Sequence, residues 1–243
     1  DKISAQRQNL RIILISGPSS SGKTTFAQRL STQLRVNGLR PISLSLDNYF
    51  VNREDTPRDQ YGEYDFEALE ALDLPLLNEH VHALIKGEEI ICPIFDFVTG
   101  QRKKEGIRMQ LASDEILIME GIHALNPRLL PQQDRAHLFK VYISALFQPN
   151  IDSYNRLSTT DVRLIRRLVR DNQYRGINPE QTLTQWASVR RGENNNIFPY
   201  QEEADVMFNS SLLYELNALR AHAEPLLKSI PQDHPHWETA EHL

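Results

Sequence analysis

The segment 17–24 of the chain, GPSSSGKT, constrains its fold and chemistry more than any other stretch, because it fills every fixed position of the pattern G-x-x-x-x-G-K-[ST]. It lies between an apolar run at 10–16, which predicts a buried strand, and an amphipathic pattern at 24–36, which predicts a helix. In that context, backbone N–H groups encircle phosphate oxygens at the positive end of the helix dipole. The sequence therefore predicts a loop that binds the phosphates of a nucleoside triphosphate, formed by Gly17, Ser19, Ser20, Ser21, Gly22, Lys23, Thr24 and Thr25.

Two side chains of this loop have specific chemical tasks. We expect the Lys23 ammonium group to reach the β and γ phosphates, and the Thr24 hydroxyl to coordinate Mg²⁺. ATP and Mg²⁺ are therefore the expected cofactors. A serine-rich turn that fits the pattern by chance is the alternative, and the predicted strand and helix on either side argue against it.

Short apolar runs alternate with longer helical patterns along the chain, which is typical of a parallel α/β sheet. We expect a single P-loop NTPase domain over 1–243, with a parallel sheet flanked by helices, a small β-hairpin insertion and a helical lid at about 158–178. Further strands are predicted at 41–46, 115–119, 138–144 and 205–208, and the hairpin pairs 89–97 with 102–111. Further helices are predicted at 66–86, 151–157, 161–174, 179–190 and 211–227.

Composition limits the partners of the chain. The formal net charge of -5 creates no overall field that would attract nucleic acid or an anionic membrane, so an anion site must be built locally. A single cysteine, Cys92, excludes an internal disulfide framework, and no apolar stretch is long enough to span a bilayer. We therefore expect a cytoplasmic protein without nucleic-acid or membrane partners. The chain begins at Asp1 rather than at Met, which fits a domain excised from a longer polypeptide; fusion to other domains and homo-oligomer formation both stay open.

Two carboxylates follow predicted strands beside the phosphate-binding loop. Asp47 ends the strand 41–46, where it would point into the ligand crevice, accept the proton of an attacking hydroxyl and help to hold the metal. Glu120 ends the strand 116–119, at a position suited to a direct or water-mediated contact with Mg²⁺. A turn-forming Asp and a solvated strand-end Glu are the alternatives.

A cluster of arginines occupies the predicted lid. Arg163, Arg167 and Arg170 are spaced i, i+4 and i+7 and therefore share one face of a helix, and Arg175 follows. Such a run is usually a solvated surface. Beside a triphosphate site, however, arginines that close over the transferred phosphoryl group neutralise its charge and exclude water.

These motifs together resemble the uridine kinase and phosphoribulokinase family. The resemblance covers most of 10–219 and is carried by GPSSSGKTT, SLDNYF, PIFDF, MEGIHAL, TDVRLIRRLVRDNQYRG with the following LTQW, and EEADVMFN. It implies that Asp47 is the catalytic base, that Glu120 is associated with magnesium, and that the lid arginines are Arg167, Arg170 and Arg175. It also implies an acceptor pocket formed by Phe50, Phe66, Glu67, Phe95, Phe97 and Gln185, with Glu67 on the ribose hydroxyls in place of the family's Asp.

Three positions depart from the pattern of uridine kinases. Phe95 replaces a tyrosine, Gly100 replaces a histidine that reads the base, and Ile177 replaces an arginine. We therefore expect a wider and more apolar acceptor pocket with weakened uridine recognition, in which Arg102 or Gln185 could take over the readout of the base.

The sequence thus predicts an ATP-dependent kinase that phosphorylates a hydroxyl of a small molecule, with the 5′-hydroxyl of a nucleoside as the expected acceptor. Two alternatives stay open. One is a regulatory module that binds nucleotide with little turnover. The other is an enzyme similar to phosphoribulokinase or pantothenate kinase, with a non-nucleoside acceptor.

Overall fold

A computed structural model of the chain describes residues 2–6, 9–150 and 152–243. The strands are β1 (Ile12–Ser16), β2 (Arg40–Ser45), β3 (Ile90–Cys92), β4 (Phe95–Asp96), β5 (Gln101–Arg102), β6 (Ile107–Met109), β7 (Glu115–Glu120), β8 (Leu138–Ser144) and β9 (Val206–Asn209). The helices are α1 (Lys2–Ala5), α2 (Lys23–Val36), α3 (Leu74–Ile85), α4 (Thr159–Arg170), α5 (Pro179–Asn196), α6 (Glu215–Lys228) and α7 (Trp237–His242).

Five strands form one parallel sheet in the order β2-β7-β1-β8-β9, which confirms the predicted α/β class. The central strand β1 pairs with both neighbours, so that Ile12 lies opposite Leu117 on one side and opposite Leu138 on the other. All strands of the sheet run in the same direction, and their carboxyl ends therefore meet at one edge. The segments that follow β1, β2, β7 and β9 are gathered at that edge.

The inner strands β1, β7 and β8 are buried on both faces, and their side chains alternate between two cores. Ile13 and Ile15 of β1 face the core that includes Ala27 and Leu34 of α2. Ile12 and Leu14 face the opposite core, where the sheet packs on α3. Burial of an aliphatic side chain of this size contributes roughly 1.5–3 kcal/mol. The edge of the sheet is therefore a rigid platform for the segments that carry polar residues.

The predicted helix at 66–86 is wrong over 66–73, because α3 begins only at Leu74. Asp73 caps the helix by accepting a hydrogen bond from the backbone N–H of Leu76, and Pro75 lies in the first turn. The preceding residues form an irregular segment with one 3₁₀ turn at Leu69–Ala71. Phe66 and Glu67 are thereby placed in a loop rather than on a helix.

The predicted helix at 151–157 is also wrong over 152–157, where the chain forms bends, while residue 151 lies outside the described residues. Asp152 Oδ1 accepts hydrogen bonds from the backbone N–H groups of Tyr154 and Asn155, at 2.7 and 2.8 Å. This Asx turn competes with helical hydrogen bonding. The bend ends at Ser158, whose hydroxyl caps α4.

The predicted hairpin is confirmed as two short antiparallel pairs, β3 with β6 and β4 with β5.

The predicted helix at 161–174 consists of two parts, the α-helix α4 and a π-helical turn over Asp171–Arg175. The π-helical turn ends at Gly176, which has a φ of 65°. Along the described residues, every helix is too short or too polar to cross a membrane.

Candidate active site

A cavity of about 1150 Å³ opens at the carboxyl edge of the sheet. One end is formed by the phosphate-binding loop and α2, and the other by the loop after β2 and the hairpin. The predicted residues that line it are Ser19, Ser20, Gly22, Lys23, Thr24, Thr25, Asp47, Phe50, Phe66, Glu67, Phe95, Phe97, Glu120, Arg167, Arg170, Arg175 and Gln185. The structure therefore brings nearly all predicted site residues around one space.

The loop after β1 has the backbone geometry of a phosphate cradle. A Cβ atom at Gly17 would lie 2.1 Å from the carbonyl oxygen of Ile143, and Gly22 has a left-handed φ of 91°. Ser20 also has a positive φ of 59°, which is strained for a residue with a side chain. No side chain caps α2 at Gly22, so the first N–H groups of the helix point into the cavity. Free N–H groups at a helix N-terminus fit phosphate oxygens.

The Lys23 side chain folds back over this loop. Its Nζ donates hydrogen bonds to the backbone oxygens of Gly17 at 2.9 Å and Pro18 at 3.1 Å. Burial lowers the pKa of Lys23, while the negative charges of Glu120 and Asp47 act in the opposite direction. The hydrogen-bond partners of the ammonium group are neutral backbone oxygens, and no carboxylate lies within ion-pair distance of it among the described residues, so it can exchange these partners for phosphate oxygens.

Oxygen atoms of three residues meet at the ends of β2, β7 and α2. Glu120 Oε1 accepts hydrogen bonds from the Thr24 hydroxyl at 3.1 Å and from the Ser45 hydroxyl at 2.9 Å. Burial, and then the charge of Asp47, raise the pKa of Glu120. Two carboxylates that repel each other beside a hydroxyl form an oxygen donor set that fits Mg²⁺. Within the described ranges, no cluster of three or more His, Cys, Asp or Glu side chains offers another metal site.

Ser45 was absent from the sequence-based site, although it lies directly opposite Glu120 in the β2·β7 register. The pairing of the two strands brings both side chains to the same edge of the sheet. The contact could be found from the sequence only by predicting that β2 and β7 are neighbours in the sheet and in which register they pair.

Three lid arginines reach the phosphate-binding loop and the predicted base. Arg167 Nη1 donates to the Ser19 hydroxyl at 2.8 Å, and Arg170 Nη1 approaches the same oxygen at 3.5 Å. Arg175 Nη2 lies 3.6 Å from Asp47 Oδ2, and its guanidinium carbon lies 3.9 Å from the centre of the Phe97 ring. Burial lowers the pKa of Arg175 to about 10. The arginines therefore line the cavity and do not form a solvated helix face.

Two buried carboxylates that the sequence did not predict as site residues hold arginines of α4 in place. Asp171 is fully buried and lies 3.2 Å from Arg167, 2.6 Å from Arg170 and 4.0 Å from Arg175. It opens the π-helical turn, whose extra residue brings all three guanidinium groups toward one carboxylate.

The second missed carboxylate, Glu193, connects α5 to the phosphate-binding loop. It is fully buried, and its Oε1 accepts a hydrogen bond from the backbone N–H of Ser19 at 3.0 Å. The same carboxylate forms ion pairs with Arg163 and, at 2.9 Å, with Arg190. We call Arg163, Arg167, Arg170, Asp171 and Glu193 the lid network. An Arg–Glu pair across two helices leaves no signal in local sequence, because its partners are thirty residues apart.

Aromatic side chains wall the opposite end of the cavity, which we call the acceptor compartment. Phe50, Phe95 and Phe97 form a cluster with ring centres 5.2–6.3 Å apart. Tyr64 and Phe66 form a second pair, at 5.9 Å. Flat apolar surfaces of this kind suit an aromatic or ring-shaped ligand.

Glu67 is the buried carboxylate of this compartment. Its Oε2 atom has no hydrogen-bond partner among the described residues. Burial raises the pKa of Glu67 to about 7, which the nearby charge of Arg167 partly opposes. A Cβ atom at Gly192 would lie 2.2 Å from Glu67 Cβ, so the glycine in α5 allows this loop to approach. An unpartnered carboxyl oxygen in a cavity can bind a ligand hydroxyl.

Arg102 is placed differently from the prediction, because it does not line the cavity. Its guanidinium group donates to the backbone oxygens of Phe50 and Tyr49 and pairs with Asp73 at 2.9 Å. These contacts hold the hairpin against the loop after β2, so Arg102 has a structural role here.

Gln185 and Ile177, in contrast, both line the cavity as expected.

Residues 12–213 match the Phosphoribulokinase / Uridine kinase family. A uridine kinase from Deinococcus deserti is 32% identical over 197 residues, which cover 81% of this chain and 86% of that protein. A uridine kinase from Lactobacillus johnsonii is 30% identical, with 81% and 84% covered.

Two solved structures have a fold similar to that of this chain. The structure of a possible uridine kinase from Bacillus stearothermophilus has a TM-score of 0.52 at 20% identity and covers 86% of this chain and 100% of that one. Phosphoribulokinase from Rhodobacter spheroides has a TM-score of 0.52 at 18% identity, covering 83% of this chain and 70% of that one. With the family match spanning most of the chain, and with its phosphate cradle and lid arginines, this protein belongs to the phosphoribulokinase / uridine kinase family and is an ATP-dependent kinase.

Proposed function

We propose that this kinase transfers the γ-phosphoryl group of ATP, in the presence of Mg²⁺, to the 5′-hydroxyl of a nucleoside. One observation carries the proposal: Asp47 lines the same cavity that joins the phosphate-binding loop to an aromatic compartment. An acceptor bound in that compartment would present its hydroxyl to both Asp47 and the transferred group. The uridine kinases similar to this chain support a nucleoside as that acceptor.

The donor end would bind and orient the phosphates. The N–H groups of the loop and the Lys23 ammonium group would hold the β and γ oxygens. Arg167 and Arg170, which contact Ser19, would neutralise charge on the transferred group and exclude water from it. Mg²⁺ bound near Thr24 and Glu120 would add positive charge to the same oxygens.

Asp47 would act as the general base on the acceptor hydroxyl. It lies at the carboxyl end of β2, and its Oδ2 atom is within ion-pair distance of Arg175. An ionised carboxylate can hydrogen-bond to the hydroxyl, orient it toward the phosphorus atom and accept its proton as the bond forms. Arg175 would therefore serve both the base and the lid.

The acceptor compartment would recognise the rest of the nucleoside. The rings of Phe50, Phe95 and Phe97 provide faces for a base, and the unpartnered oxygen of Glu67 provides a contact for ribose hydroxyls. A nucleoside satisfies both features at once, whereas pantothenate has no ring to place against the aromatic wall.

A phosphorylation panel tests the proposal. The purified chain would be incubated with labelled ATP and Mg²⁺ and, separately, with the common ribonucleosides, ribulose 5-phosphate and pantothenate. We expect a labelled nucleoside 5′-monophosphate with at least one nucleoside, and its loss in Asp47→Asn. Label transfer only to ribulose 5-phosphate or pantothenate would overturn the nucleoside assignment, and binding of ATP without any acceptor product would favour a regulatory module.

A further inference from the structure

Arg53 lies in the acceptor compartment at the place left open by Gly100. Its backbone N–H donates to the Gly100 carbonyl at 2.8 Å, and its Nη2 donates to the Phe97 carbonyl at 3.1 Å. A Cβ atom at residue 100 would lie 2.7 Å from Arg53 Cζ, so a side chain there would displace the guanidinium group. The sequence predicted a wider and more apolar pocket at Gly100. The structure differs here, because the positively charged guanidinium group of Arg53 occupies the space that Gly100 leaves open.

The guanidinium group of Arg53 differs from those of the lid. Arg166 pairs with Glu215, Arg170 with Asp171, and Arg175 with Asp47. Across the residues that the structure describes, Arg53 forms no ion pair, and its one side-chain hydrogen bond is to the Phe97 carbonyl. Arg53 is exposed and lines the cavity, so most of its N–H donors are available to a ligand.

The chemistry of a guanidinium group restricts what such a ligand can be. Its donors form a planar fork that pairs with two neighbouring acceptors, as an arginine does with O6 and N7 of guanine. Cytosine offers a similar pair in O2 and N3, and hypoxanthine has the same O6 and N7 as guanine. Uracil has an N3–H donor between its two carbonyls, and adenine carries an amino group beside N7, so neither base offers this pair.

We propose that Arg53 is a specificity-determining residue that selects nucleosides whose base presents a carbonyl oxygen beside an unprotonated ring nitrogen. The inference rests on the proposed nucleoside kinase activity and specifies its substrate class. The aromatic cluster around Phe97 holds the base, and the guanidinium group, tethered to the Phe97 carbonyl, reads its edge. Cytidine, guanosine and inosine are therefore preferred over uridine and adenosine.

Substrate analogues test this reading on the unaltered protein. The kcat/KM value would be measured for guanosine against 7-deazaguanosine and for cytidine against 3-deazacytidine, since each analogue lacks one acceptor of the pair. We expect at least one of these pairs to be phosphorylated and the analogue to be roughly ten- to hundredfold poorer, the range for a bidentate base contact. Equal values within each pair would overturn the proposal.

A variant then assigns the preference to Arg53. Arg53→Met keeps an unbranched apolar side chain and removes the guanidinium donors, while Arg108→Met, on the exposed hairpin outside the cavity, is the matched control. We expect the cytidine-to-uridine and guanosine-to-adenosine ratios to fall toward unity in Arg53→Met and to stay unchanged in Arg108→Met. Unchanged ratios in Arg53→Met would overturn this inference. The proposed function would stand in that case, because nucleosides would still be phosphorylated. Absence of phosphorylation of every nucleoside by the unaltered protein would overturn the proposed function and this inference together.

Discussion

The two ends of the cavity are built in different ways. The lid network at the donor end consists of buried charges that are paired with each other and with the phosphate-binding loop. The acceptor compartment consists of aromatic walls, one buried carboxyl group and the exposed Arg53. Charges fixed before a ligand arrives stabilise transferred charge without reorganisation, whereas a few free polar groups distinguish between ligands. Changes at the donor end should therefore impair every acceptor alike, and changes at the acceptor end should alter the preference among them.

The largest effect should come from Lys23→Ala. The change removes a cation from the transferred phosphoryl group, and we expect kcat to fall by roughly 10³ or more with every acceptor, as for other charges at this position of the transition state. Steady-state kinetics with two different acceptors measures it, and the exposed Lys104→Ala is the control. A decrease in kcat with only one of the two acceptors would contradict the claim that the donor end acts on every acceptor alike.

Glu193→Gln should affect stability most strongly. The substitution preserves an oxygen for the Ser19 N–H group but leaves Arg163 buried without its counter-charge, which costs roughly 3 kcal/mol. Urea unfolding measures the free energy of unfolding of this variant, of Arg163→Met and of the double variant. We expect the double variant to be less destabilised than the sum of the two single variants. Strict additivity would show that the pair is not coupled.

Asp47→Asn should lower kcat by roughly 10² or more while ATP binding persists, because the amide keeps the size of the side chain but cannot accept the proton. Calorimetric titration with ATP separates binding from turnover. An unchanged kcat would assign the base to another residue and would leave Asp47 as a partner of Arg175 alone.

The smallest effect should be a pH dependence caused by Glu67. Its pKa is raised to about 7 by burial, from 4.5 in the unfolded chain, so its contribution to stability is present below pH 4.5 and is lost as the pH rises through about 7. Between about pH 6 and about pH 8, the free energy of unfolding should fall by roughly 1 kcal/mol more in the unaltered protein than in Glu67→Gln. Thermal unfolding at both pH values measures it. Parallel curves for the two proteins would show that the carboxyl group ionises normally.

Local sequence predicted the parts of the site that follow directly from strands. The loop 17–24, Asp47 and Glu120 each lie at the carboxyl end of a strand, and a parallel sheet brings such ends together without further information. The acceptor residues were inferred from resemblance, and they line the cavity except for Arg102.

The remaining contacts depend on how distant segments pack. Ser45 meets Glu120 through the strand register, and Glu193 meets Ser19 across 174 residues of chain. Arg53 occupies the space above Gly100 because the loop after β2 returns to the hairpin. The helix boundary at Leu74 was missed since the apolar spacing of 66–73 is helical, while the cap at Asp73 decides where the helix begins.

Transfer from ATP to a nucleoside is tested most directly by comparing ADP formation with nucleoside 5′-monophosphate formation in the same reaction. We expect equimolar ADP and monophosphate with a preferred nucleoside, the ester on the 5′-oxygen, and loss of both products in Asp47→Asn. ADP that accumulates without nucleoside monophosphate, or that is unaffected by Asp47→Asn, would contradict the claim that the cavity joins ATP to a nucleoside acceptor.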